Sequence, residues 1–219
     1  MVDSNFRPSA AIFDMDGLML DTEKPAIGIW AKAGRAFGWE IKPDTVIRTL
    51  GIDKKGTGEI FMQEMGAGFP YEAIKEEFYR LYREEFEKKV DLKSGLIVLL
   101  DHLSALGIPV AVATSSRGGA ARWKLAKAGI LERFPVLACG DEVGQGKPAP
   151  DIFLLAAERL GMSPSCCVGF EDSAAGLKAL HAAKIRSVFI KDMVEPPDDV
   201  LATVWRRYGN LAEAMELFW

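Results

Sequence analysis

At 219 residues, with 49% apolar and 26% charged side chains, the chain can bury a substantial core and has an ordinary globular composition. Its formal net charge of −4 excludes a broadly basic surface, so no nucleic-acid partner is expected. No apolar run approaches the ~20 residues of a membrane span, and residues 1–8 are too polar for the core of a secretion signal, so no membrane partner is expected. Cys139, Cys166 and Cys167 are odd in number, sit in apolar company and lack metal-ligand spacing. They are predicted to be reduced thiols in buried strands, which points to the cytoplasm.

Residues 10–13, Ala-Ala-Ile-Phe, form an apolar run without alternation, the mark of a strand buried on both faces. The run stops at Asp14, Met15, Asp16 and Gly17. Acids two apart in extended backbone point to the same side, where they raise each other's pKa or share a cation. Residues 25–90 show helical periodicity and no convincing strand, and so read as a helical insert. Within it a helix is predicted over 26–37 with Gly38 as its stop, then a loop over 51–58 containing Gly and Lys. A helix over 71–90 places Tyr71, Ile74, Phe78, Leu81, Tyr82 and Phe86 on one face, suited to packing inside a helical subdomain.

From Gly95 onward helix and strand alternate. A helix over 96–106 stops at Gly107, and a strand over 110–113 runs into Thr114, Ser115 and Ser116. A helix over 120–128 closes at Gly129, and a strand follows over 136–138. Asp151 is predicted to cap a helix over 152–160 stopped by Gly161, and a strand over 166–169 ends in Glu171 and Asp172. A helix over 176–183 and a fifth strand over 187–190 complete the pattern. This alternation predicts an α/β fold with a doubly wound parallel sheet.

Such sheets place their chemistry at the carboxyl ends of the strands. Asp14 and Asp16, Thr114 and Ser115, and Glu171 and Asp172 all fall there, while Lys147 comes from the stiff segment Gly-Lys-Pro-Ala-Pro. Taken singly, the two hydroxyls could be helix caps, the lysine a solvated side chain, and the last acid pair a turn. Their joint placement at three strand ends and one rigid loop favours a site. Its oxygen donors, with no His or Cys, suit a hard cation, best Mg²⁺ with a phosphate. Thr114, Ser115 and Lys147 would hold the phosphate. Asp14 would be the nucleophile, forming an aspartyl-phosphate, and Asp16 the general acid and base.

These residues resemble the motifs of the haloacid dehalogenase-like hydrolases over essentially the whole chain. The run from Asp14 to Glu23 is similar to the family's first motif, Thr114-Ser115-Ser116 to its second, Lys147-Pro148 to its third, and Gly169-Phe170-Glu171-Asp172-Ser173 to its fourth. The resemblance implies Mg²⁺ ligands in Asp14, the Asp16 backbone carbonyl and Asp172, with Glu171 as ligand or supporting partner. It also implies a Rossmann-like catalytic core of residues 1–22 and 92–219, and a small helical cap domain of residues 23–91. The expected activity is Mg²⁺-dependent hydrolysis of a small phosphorylated metabolite, a sugar or nucleotide-like monophosphate, by a monomer or weak dimer. A β-phosphoglucomutase-like mutase is the alternative, weakened because Lys24-Pro25-Ala26 stands where such mutases carry a cap histidine. A non-catalytic binding or regulatory module is the alternative from another class. Candidate substrate contacts are Glu23, Arg48, Ser116 and one of Lys54 or Lys55, with Arg48 favoured as a fork donor. An EF-hand and a P-loop both fail on glycine spacing around Gly17 and Gly146.

Overall fold

The computed structural model describes residues 6–52 and 54–219, with the side chains at 54 and 55 outside the description. All four residues of β1 (Ala10–Phe13) are buried, because the strand has a neighbour on each side and helices over each face. It pairs in parallel with β2 (Val110–Thr114) on one side and β4 (Cys167–Glu171) on the other. β3 (Val136–Cys139) lies outside β2, β5 (Arg186–Ile190) outside β4, and β6 (Arg206–Tyr208) at the far edge. The order β3-β2-β1-β4-β5-β6 is parallel throughout and reverses direction beside β1. A crevice opens at such a reversal, above the strands' carboxyl ends. Phe13 and Phe170 stack beneath it with centroids 4.7 Å apart.

The core helices are α5 (Leu96–Ala105), α6 (Gly118–Lys127), α7 (Asp151–Arg159), α8 (Ala174–Ala182) and the short α9 (Asp198–Leu201). Three expectations need correction. β6, the sixth strand, was not predicted; its Arg-Arg-Tyr sequence carries no apolar signal because an edge strand is half solvated. Asp151 lies in the first turn of α7 rather than at its cap, which is Pro150 without a side-chain cap bond. Cys166 sits exposed in a 3₁₀ turn before β4, while Cys139 and Cys167 are buried in strands.

Between β1 and β2 come α1 (Glu23–Ala36), α2 (Pro43–Ile47), α3 (Lys54–Met65) and α4 (Tyr71–Phe86). These helices do not interrupt the sheet, since Ala11, Ile12 and Phe13 pair directly with Val110, Ala111 and Val112. They have their own aromatic centre, where Trp30 lies 4.3 Å from Phe78 and 4.5 Å from Phe61 between ring centroids. Ile74, Phe78 and Phe86 of α4 are buried, with Tyr71, Leu81 and Tyr82 packed at the margin. The predicted loop over 51–58 is a loop only to residue 52, because α3 begins at Lys54. Gly56 and Gly58 made that stretch read as irregular, being poor helix formers. In the folded chain Gly58 admits the Tyr71 ring, which a Cβ there would meet at 3.0 Å. No helix among the described residues is long and apolar enough to cross a membrane.

Candidate active site

β1 delivers Asp14 to the crevice, where its carboxylate is buried and its backbone N–H donates to the Phe170 carbonyl of β4 at 3.0 Å. The Lys147 ammonium touches Asp14 and donates to Glu171 Oε2 at 2.8 Å, with its side chain only 6% exposed. The solvated-lysine reading of Lys147 is thereby excluded. Its peptide bond to Pro148 is cis. Glu171 Oε1 accepts from the Ser173 hydroxyl at 2.8 Å and from the backbone N–H groups of Ser173 and Asp172 at 3.1 and 3.2 Å. It thus organises the turn that aims Asp172. Gly17 makes the room, since at its φ of 90° a Cβ would sit 2.4 Å from Asp172 Oδ2.

Burial, reinforced by Glu171, pushes the Asp14 carboxyl up to about 7 against the pull of Lys147. Burial and the charges of Glu171 and Asp14 likewise raise Asp172 well above the usual carboxylate range. Burial opposes the Lys147 ammonium, but Asp14 and Glu171 outweigh it and hold its pKa above the ordinary lysine value.

Asp16 has a different partner, one the sequence reading missed. Lys124 of α6 donates to both its oxygens at 2.7 and 2.8 Å, Thr22 to Oδ1 at 2.9 Å and Ser116 to Oδ2 at 2.9 Å. Burial would raise the Asp16 carboxyl, but Lys124 and the hydroxyl donors lower it below the usual value. The two acids therefore do not share one cation; each has its own lysine. A faint signal for Lys124 existed, because it falls on the inward stripe of α6 with the buried Ala121 and Leu125.

Thr114 is buried at the end of β2, where its hydroxyl accepts the Ser116 N–H at 3.1 Å and keeps its own proton to donate. Ser115 is exposed beside it, its carbonyl pressed so closely on Gly140 that a Cβ there would lie 2.3 Å away. Ser116 turns to Asp16 rather than to the open cleft. Between the helices α1–α4 and the sheet lies a cleft of about 370 Å³ whose lining includes Glu23, Arg48, Asp172 and Ser173. Arg48 reaches it but is paired with Glu64 at 2.5 Å and is largely exposed. Glu23 forms a second acid group with Asp172 and Asp192, and burial together with Asp192 pushes it up to about 8. Asp192, held by Lys93 at 2.5 Å, was also not anticipated. Of the two histidines, His102 meets the Phe218 carbonyl at 3.0 Å and His181 is exposed on α8. The side chains of Lys54 and Lys55 fall outside the described residues.

Asp14, Glu171 and Asp172 each offer an oxygen within 4.8 Å of the others, against the single ammonium of Lys147. Asp172 Oδ1 is buried without a hydrogen-bond partner. An orphaned oxygen in an all-oxygen set with surplus negative charge fits a hard divalent cation.

Residues 8–184 match the family model described as haloacid dehalogenase-like hydrolase. The chain is 33% identical over 213 residues to protein CbbY of Rhodobacter capsulatus, covering 90% of this chain and 91% of that protein. It is 29% identical over 180 residues to the phosphorylated carbohydrates phosphatase of Thermotoga maritima, covering 82% and 83%. The crystal structure of CbbY from Rhodobacter sphaeroides in complex with phosphate is similar, with a TM-score of 0.76 at 25% identity over 94% of this chain and 96% of that one.

Proposed function

Since the chain belongs to the haloacid dehalogenase-like hydrolase family and is a phosphatase within it, we propose that it hydrolyses a small sugar phosphate or nucleotide-like monophosphate through a phosphorylated Asp14. The observation that carries this reading is the buried Asp14 carboxylate at the end of the central strand, within reach of both Lys147 and Asp172. An Asp14 oxygen attacks phosphorus as the ester P–O bond breaks, and Asp16 gives the departing oxygen its proton. Asp16 then takes a proton from water, whose oxygen attacks phosphorus, returning Asp14 and releasing inorganic phosphate. Lys147, Thr114 and Ser115 hold the phosphoryl oxygens throughout. Asp14, Asp172 and the Asp16 carbonyl would hold Mg²⁺, with Glu171 as ligand or supporting partner, and the ion when bound supplies Lewis-acid neutralisation of phosphoryl charge.

Residues 23–91 serve in this reading as the cap that closes the cleft and selects the substrate, with Glu23 and Arg48 among its contacts. The similarity to a phosphorylated carbohydrates phosphatase supports a carbohydrate phosphate. The test is phosphate release from a panel of phosphorylated metabolites, with Mg²⁺ and with EDTA. Asp14→Asn is expected to abolish turnover with the melting transition kept. Absence of release from every substrate, together with tight binding of one, would establish a binding module instead.

A further inference from the structure

Lys124 is a largely buried ammonium on α6 that the proposed steps do not use. Its side chain is 11% exposed, and it donates to both oxygens of Asp16 while also reaching Ser116 Oγ at 3.3 Å. Tyr82 of α4 covers it, with the ring centroid 5.5 Å from Nζ. Among the described residues its charged partner is Asp16, whereas Asp14 and Glu171 are met by Lys147. Lys124 sits against both Asp16 oxygens, with Thr22 on Oδ1 and Ser116 on Oδ2, so the ammonium anchors the carboxylate between two hydroxyl donors. From this we infer that Lys124 is the positioning residue for Asp16, fixing the orientation in which it passes its proton to the leaving oxygen.

This inference rests on the proposed role of Asp16. Lys124 moves no proton itself. The contacts seen are those of ionised Asp16, the form left once its proton has passed to the leaving oxygen as the P–O bond breaks, and Lys124 holds that carboxylate. The consequence depends on the leaving group. An alkoxide needs protonation as it departs, whereas p-nitrophenolate leaves as a stable anion.

The experiment compares Lys124→Met with the unaltered enzyme on a hexose phosphate and on p-nitrophenyl phosphate, both with Mg²⁺. On the hexose phosphate kcat should fall about 10- to 100-fold, within the range general-acid catalysis supplies, with KM nearly unchanged. The first-turnover burst of p-nitrophenol should change by less than about threefold, since that step needs no proton. In an Asp16→Asn background, adding Lys124→Met should cause no further loss. Lys127→Ala, which removes an ion pair with Glu87 on the same helix, serves as the control and should stay at the unaltered rate. If Lys124→Met unfolds, Lys124→Gln retains an uncharged NH₂ donor group and should show the same substrate-dependent split in smaller degree.

Equal losses on both substrates, or a further loss in the Asp16→Asn background, would overturn the positioning role and leave Lys124 a packing residue. Turnover by the unaltered enzyme without any split would sink this inference alone. No turnover of either substrate by the unaltered enzyme would sink the proposed function with it.

Discussion

Lys147→Met removes the only ammonium that touches Asp14 among the described residues. The Asp14 and Glu171 side chains are 10% and 1% exposed, so water does not replace the lost partner. Breaking a buried ion pair from one side costs about 3–5 kcal/mol. Nζ also lies 4.8 Å from the Phe153 ring centroid. That cation–π attraction is worth about 1–2 kcal/mol, and a methionine sulfur on the same ring returns a similar amount. The ionic term therefore decides. For a domain of about 150–250 residues each kcal/mol moves Tm by about 2–4 °C, giving a fall of about 6–20 °C. The assay is a thermal melt followed by circular dichroism at neutral pH, in EDTA and then in millimolar Mg²⁺. The divalent ion should restore part of the loss, and Lys147→Arg, which keeps the charge, should lose less. Phosphate release should drop at least ~100-fold with Lys147→Met, the scale of one lost oxyanion donor. A midpoint in EDTA within about 2 °C of the unaltered protein would refute the charge argument.

Gly17→Ala should cost about 1–2 kcal/mol in backbone strain alone, and should also displace Asp172. The Mg²⁺ concentration for half-maximal phosphate release should then rise about 10- to 100-fold; a superimposable activation curve would rule this out. Trp30→Ala empties the aromatic centre of α1–α4 and should destabilise by about 3–5 kcal/mol, read as a lower urea midpoint; an unchanged midpoint would mean the ring stack contributes nothing. With a disulfide-exchange reagent at pH 8, Cys166 should react rapidly, being exposed. Cys139 and Cys167, each pushed by burial to about 11, should react only after denaturation. Three fast thiols in the folded protein would contradict the packing.

Where a residue's place in the crevice is set by strand position, it can be read from the amino-acid order. Asp14, Thr114 and Asp172 each follow an apolar run, and a parallel sheet brings such positions to one edge. Gly107, Gly129 and Gly161 mark helix ends because each adopts positive φ. What escaped depended on contacts across the fold. Lys124 looks like any helical lysine until α6 is laid beside β1, and Asp192 like any loop acid until Lys93 reaches it. β6 escaped because pairing with β5, not its own composition, makes it a strand. Arg48 was favoured for its fork geometry, which gave no sign that Glu64 already holds it.

The two acids of the first motif sit two residues apart, yet their surroundings separate their tasks. On one side stand three carboxylates, one ammonium and an oxygen of Asp172 with no partner. That side has negative charge to spare, so a divalent cation lowers its energy. On the other side Asp16 is matched by Lys124 and two hydroxyls, and a cation on its side chain would have to displace donors already at hydrogen-bond distance. Gly17 lets the chain turn between them, its N–H bonded to the Leu20 carbonyl at 3.0 Å. In the proposed mechanism this charge imbalance would direct the ion to Asp14 and Asp172 and leave the Asp16 carboxylate for the proton.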